Sequence, residues 1–215
     1  MESESRCVGN VENTSWERMR YYGRAWTVLV VGLFLFALSI VLQVKSDLGL
    51  GPWDVFHVGA ARVSSLSLGQ VSIITGLGVI ILAYLVARVK PGPGTIANMI
   101  LIGVFVDWTY GLVPTMTELP FKIAMFVSGL LLMGLATAVY IGAGLGAGPR
   151  DSLMLGLHRV TGLSVRVTRT FIEASVFTVG VLLGGKFGLG TLLFVVGIGA
   201  VVQLFLALLK VETHP

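Results

Sequence analysis

The chain has 215 residues, of which 55% are hydrophobic and only 12% charged, with a mean hydropathy of +0.90. A soluble domain carries roughly a quarter charged residues, so this chain has about half the charge that a water-facing surface needs, and no soluble domain large enough to host an enzyme is left. The net charge of +4 would suit nucleic acid, but the basic residues are distributed by membrane side rather than gathered on one face, and nucleic acid is discarded.

Residues 1–24 mix acids and bases and read as a mobile polar tail holding Cys7, the single cysteine. One thiol rules out an intramolecular disulfide and a cysteine metal site. Apolar runs near 20 residues follow at Trp26–Val44, Leu68–Ala87, Thr95–Val113, Phe121–Ile141, Val167–Gly184 and Thr191–Leu209, and each reads as a transmembrane helix. The first is too long for a signal-peptide core and should stay in the membrane. Between the spans lie two shorter segments, Pro52–Val63 and Pro149–Val160. Twelve helical residues rise only about 18 Å against a hydrocarbon core of roughly 30 Å. These segments should re-enter the bilayer or lie along its surface without crossing.

The short segments expose an internal repeat. Leu48-Gly49-Leu50-Gly51-Pro52-Trp53-Asp54 matches Leu145-Gly146-Ala147-Gly148-Pro149-Arg150-Asp151 at an offset of 97. Matches continue through Gly59/Gly156, Leu66/Leu163 and Ser67/Ser164. After one deletion Lys90, Gly92, Gly94, Thr95 and Gly103 align with Lys186, Gly188, Gly190, Thr191 and Gly199. Residues 25–114 and 121–210 are therefore two repeats of three spans and one short helix. An odd number of crossings per repeat forces opposite orientations, the plan of many transporters. With both termini cytoplasmic, the inner segments hold eleven of the fifteen Lys and Arg and the outer ones four (Lys45, Arg62, Lys122, Lys186), which is the expected bias.

Within the shared block, Gly49, Gly51, Gly146 and Gly148 permit positive φ and close backbone approach. Pro52 and Pro149 fit the first helical position, which puts Asp54 and Asp151 near the third, beside free N–H groups and the positive helix end. Each Asp can cap its helix, and two broken-helix starts can also frame a polar site. The copies differ at Trp53, whose counterpart is Arg150. An Arg at a helix start opposes the dipole unless an acid or anion is near, so Arg150 either pairs with Asp54 or Asp151, or attracts an anionic solute or lipid headgroup.

Ionisable residues within spans are expensive and are functional candidates by default. Asp107 in the third span aligns with Gln203, and Glu173 in the fifth lies four residues after Arg169, the spacing of a local ion pair. Gln43, Gln70, Asn98 and Gln203 suit interhelical hydrogen bonds, and Ser67 with Gln70 fits a capping box. His57 and His158 do not align and belong to no ligand cluster, so no metal is expected. The chain carries no phosphate-cradling loop, dinucleotide fingerprint or nucleophile elbow, and no cofactor or catalytic residue is assigned. Glycines spaced by four, such as Gly180 and Gly184, permit close helix packing or homo-oligomerisation.

The block LGLGPWD after a first span, with GLGAGPRD in the second half, resembles the YczE/YyaS/YitT group of small bacterial membrane proteins. The resemblance runs from about Trp26 to Lys210 and is most specific at residues 49–54 and 146–151. It implies an all-helical protein of the bacterial plasma membrane, without an activity or a site to carry over. Two functions fit these features. One is a secondary transporter of a small solute, an anion being favoured by Arg150, with Asp54, Asp151, Asp107 or Glu173 coupling to protons. The other is a non-transporting subunit that captures substrate or scaffolds a membrane partner. An intramembrane enzyme is not expected.

Overall fold

The computed structural model describes residues 15–146 and 148–211, and among them the chain is all helix. The eight helices are α1 (Ser15–Ser46), α2 (Pro52–Ser64), α3 (Leu68–Ala87), α4 (Pro93–Tyr110), α5 (Leu119–Gly142), α6 (Pro149–Thr161), α7 (Val165–Leu182) and α8 (Leu189–Leu208). Cys7 and the first fourteen residues lie outside the described part, and α1 takes in residues 15–24 that the sequence places in a polar tail.

Four helices are long and apolar enough to cross a bilayer: α1 from Tyr22, α3, α5 and α8. The remaining long helices, α4 and α7, have 18 residues each, a rise of about 27 Å. Asn98 and Asp107 interrupt the apolar run of α4, and Arg166, Arg169 and Glu173 that of α7. Much of the outer surface is apolar, with Leu77, Leu85, Leu192 and Val196 exposed. That face suits hydrocarbon rather than water.

Pro at the first or second position and a β-region residue before it start α2, α4, α5 and α6, where a missing N–H costs nothing. The capping box expected at α3 is present: Ser67 Oγ accepts from Gln70 N at 3.1 Å, and Gln70 Oε1 accepts from Ser67 N at 3.0 Å. In the opposite half Ser164 caps α7 through Val167 N at 3.3 Å.

The central contact joins α1 to α5, and α2 packs on α7 as α6 packs on α3. Helix α4 packs on α1, and α8 on α5. Leu29, Leu33, Val41, Phe126, Met133 and Phe194 form the main apolar core along that contact. Two pairings have no counterpart: α3 lies tightly against α4 whereas α7 and α8 scarcely touch, and α4 meets α6 whereas α8 and α2 scarcely touch. A Cβ on Gly69 would collide with the carbonyl of Gly103, so these two glycines set the α3–α4 approach.

Candidate functional site

The starts of both short helices lie inside the bundle. Pro52, Trp53, Asp54, Val55 and His57 of α2 are buried, as are Pro149, Ser152 and Leu153 of α6. The chain reaches these points through extended loops with Gly49 at φ 143° and Gly146 at φ 121°, conformations that an L side chain rarely adopts. Each loop is then pinned to the start of a long helix from the other half. Gly190 N donates to Leu48 O at 3.0 Å, and Gly94 N donates to Leu145 O at 3.2 Å. Leu48 aligns with Leu145 and Gly190 with Gly94, so the same bond is made twice.

Further close contacts surround both pins. Leu50 N also donates to Thr191 Oγ1 at 3.0 Å, and a Cβ on Gly51 would lie 2.7 Å from the Phe194 ring. On the other side, Gly146 would meet only Thr95 Oγ1 at 3.6 Å, and Gly148 would meet Asp151 and Asn98 at 3.4 Å and 3.7 Å. A Cβ on Gly94 would collide with Leu145 O, as one on Gly49 would with Thr191 N, so both loops lie hard against the helix they meet.

A central cavity of about 600 Å³ gathers both helix starts. Its polar wall includes Trp53, Asp54 and His57 from α2, Arg150 and Asp151 from α6, and Arg166, Arg169 and Glu173 from α7. Asn98, Tyr140 and Gln203 add neutral donors and acceptors. Trp53 and Arg150, the aligned pair that differs between the repeats, face each other, with the guanidinium carbon 4.7 Å from the indole ring centre. That is a cation–π stack. Asp151 sits in the first turn of α6 with its Oδ2 close to Gly148, and the charges of Arg169 and Arg150 act on its carboxyl. Asp54 is 3% exposed, its Oδ1 has no hydrogen-bond partner, and His57 Nδ1 stands 3.6 Å away. Glu173 forms the expected pair with Arg169 Nε at 2.8 Å.

Of the residues singled out from sequence, Trp53, Asp54, Arg150, Asp151 and Glu173 converge on this cavity and Asp107 does not. Asp107 is exposed on α4, where Oδ1 accepts from Gly69 N at 2.8 Å and Oδ2 from Ser67 Oγ at 2.5 Å. It reaches across to satisfy one free N–H and the Ser67 hydroxyl at the start of α3, favoured by that helix's positive end. His57, Tyr140, Thr137 and Asn98 join the cavity wall without having been assigned to it by sequence. Only His57, one turn after Asp54, carried a local signal.

A second cavity of about 560 Å³ lies at the end of the bundle where α1 stops, lined by Lys45, Asp47, Arg62, Asp107 and Lys186. Asp47 there receives Lys186 Nζ at 2.6 Å and lies 3.7 Å from Lys122 Nζ. The hydrogen bond from Lys186, with the nearby charges, holds its carboxyl below the ordinary 3.8. Gly49 and Leu50 line this cavity, whereas Gly51 and Pro52 line the central one. Gln43, fully buried, lines the end cavity, and its Nε2 lies 3.9 Å from Sδ of Met133, which lines the central one. A septum one loop thick separates the two spaces.

Residues 23–207 match the model of a family described as a family of unknown function (DUF6198). The chain is 36% identical over 179 residues to "Uncharacterized membrane protein YczE" of Bacillus subtilis, covering 83% of each chain. It is 37% identical over 209 residues to an uncharacterized protein of Haemophilus influenzae, covering 95% of this chain and 94% of the relative. To "Uncharacterized protein YyaS" of Bacillus subtilis it is 27% identical over 197 residues, covering 90% and 94%. No solved structure matches the chain.

Proposed function

Because the chain belongs to the DUF6198 family, whose function is unknown, we propose its activity from the site: a secondary carrier for a small charged solute, bound at Arg150 where the two repeats meet. The protein is an integral membrane protein, as its apolar exterior and its membrane relative agree. In this reading all six long helices cross, the 27 Å of α4 and α7 being met by slight local thinning. The repeats are inverted, and both termini are cytoplasmic. The eleven-to-four charge bias supports that orientation. The protein is a carrier and not an enzyme.

The observation that carries the reading is the pair of cavities back to back across the Gly49–Gly51 septum. Packing is matched between the halves over most of the bundle, and the largest exception is α3 closed on α4 with α7 parted from α8. Two halves of one design in two different states are what alternating access requires, since exchanging the states moves the opening to the opposite face. The α3–α4 pair then forms the closed gate, and the α7–α8 cleft forms the open one.

The test is counterflow in liposomes containing only this protein, with labelled glycine, L-glutamate, succinate and inorganic phosphate as probes. Arg150→Ala abolishes the flux found and leaves the elution profile and melting temperature of the detergent-solubilised protein near wild type. Unchanged flux refutes the role of Arg150. Absence of flux with every probe favours a non-transporting subunit.

A further inference from the structure

The central cavity contains two charged side chains that the protein leaves incomplete. Asp54 is the first. It is nearly inaccessible, its Oδ1 receives no hydrogen bond from the described residues, and the nearest ionisable group, His57 Nδ1, lies 3.6 Å off, beyond hydrogen-bond reach. A buried carboxylate oxygen without a donor is costly. Arg150 is the second. It is in none of the ion pairs among the described residues, and its one face rests on Trp53. Stacking occupies the face of a guanidinium and leaves its in-plane N–H donors free for a carboxylate.

Of the other charged groups of the cavity, Glu173 is held by Arg169, and Asp151 lies in the first turn of α6 beside Gly148. Arg166 stands exposed at the start of α7, at the rim. The cavity is thus left with one carboxylate oxygen without a donor and one guanidinium in no ion pair among the described residues. Both side chains line it, and Trp53, the residue before Asp54, carries Arg150 on its ring.

We infer that the cavity takes a small zwitterion of amino-acid type, its carboxylate on Arg150 and its ammonium on the Asp54 carboxylate. The positive ends of α2 and α6 add to the hold on the carboxylate. A simple anion would leave Asp54 without a donor and sit beside Asp151 as well. A simple cation would face Arg150. The cavity, at about 600 Å³, has room for a side chain along the apolar wall of Val79, Ile172 and Ile198. This inference rests on the cavity being a solute site, but not on flux through it.

Binding is read from Trp53 fluorescence in detergent-solubilised full chain carrying Trp16→Phe, Trp26→Phe and Trp108→Phe. The probes are glycine, L-alanine, L-serine and L-glutamine as zwitterions, acetate and inorganic phosphate as anions, and methylammonium as the cation. At least one zwitterion gives a saturable change, with acetate, phosphate and methylammonium weaker by about tenfold or more. Asp54→Asn and Arg150→Lys each weaken the zwitterion by a similar factor. Acetate or phosphate binding as tightly as every zwitterion overturns the inference in favour of an anion site. Methylammonium doing so overturns it in favour of a cation site. Silence toward all probes in protein with an unshifted melting temperature overturns it too. Because the probes are compared on one protein, the result stands even if Asp54→Asn fails to fold. Zwitterion binding without counterflow would refute the carrier and leave this inference standing, and counterflow of anions alone would do the reverse.

Discussion

Gly103 and Gly199 occupy aligned positions on α4 and α8, and the two halves treat them differently. A methyl added at Gly103 would lie 2.6 Å from the Gly69 carbonyl and closer still to Ile73. The backbone oxygen cannot rotate away, so α3 and α4 must separate. Overpacking of this kind costs roughly 1–3 kcal/mol. At about 2–4 °C per kcal/mol for a chain of this length, Gly103→Ala should lower the melting temperature by roughly 2–12 °C. The same methyl at Gly199 meets nothing within 4 Å. Gly199→Ala should leave the melting temperature unchanged or raise it slightly, since Ala is the better helix former by up to about 1 kcal/mol. Counterflow reverses the picture for Gly199. If α7 and α8 close during transport as α3 and α4 are closed here, the added methyl then falls into the contact. A penalty of roughly 1–3 kcal/mol on that state lowers its population about 5- to 150-fold, and counterflow falls with it. Thermal melts of both variants in detergent, followed by counterflow of the solute found for the wild type, decide the matter. Equal losses of melting temperature would refute the asymmetry. A stable and fully active Gly199→Ala would refute the exchange of states.

Three further outcomes are expected. Asp107→Ala removes two hydrogen bonds at the start of α3 and should cost about 1 kcal/mol, as loss of a cap does, whereas Gln203→Ala at the aligned position should not shift the melting temperature. Thr191→Val keeps the shape but strips the acceptor from the buried Leu50 N–H, and should cost about 1–3 kcal/mol, read as a lower melting temperature. Asp47, with its folded carboxyl held below the ordinary 3.8 by Lys186, stabilises the fold fully above that value and loses its contribution as pH falls through the lowered one. The pair is well exposed, so wild type and Asp47→Asn should differ by less than about 1 kcal/mol near neutrality, and their melting temperatures should converge in acid. A difference that grows as pH falls would contradict that assignment.

Much of the fold was legible in sequence because lipid imposes simple demands. Apolar runs bounded by Gly and Pro gave helix limits within about two residues at α3, α5 and α8. The Ser67–Gln70 box and the Arg169–Glu173 pair followed from spacing alone, since both partners lie within one helical turn. The start of α1 was placed late, because Ser15–Arg24 is polar and hydropathy does not register a helix extending into water. At the site, convergence of Trp53 and Asp54 with Arg150 and Asp151 could be anticipated from the repeat. Asp107 could not be read correctly. Its partners, Ser67 and Gly69, lie about forty residues earlier in the chain, and only the glycine contact between α3 and α4 brings them together. Tyr140, within α5, was hidden as well, since no motif marks it and only the packing of the bundle brings it to the cavity.

The difference between the copies at Trp53 and Arg150 follows from placing equivalent positions face to face. Two identical halves would set either two arginines or two tryptophans against one another. Two buried guanidinium groups in contact repel, and two indoles would fill the space with apolar surface and hold no charge. One of each gives an attractive stack and frees the guanidinium edge. It also makes the site directional, because the cation then comes from the α6 side and the aromatic ring from the α2 side. A carrier with perfectly matched halves would present a symmetric site, suited to a spherical ion. Divergence at one aligned position is enough to give the site two unlike ends, and a solute with two unlike ends is the one such a site can orient.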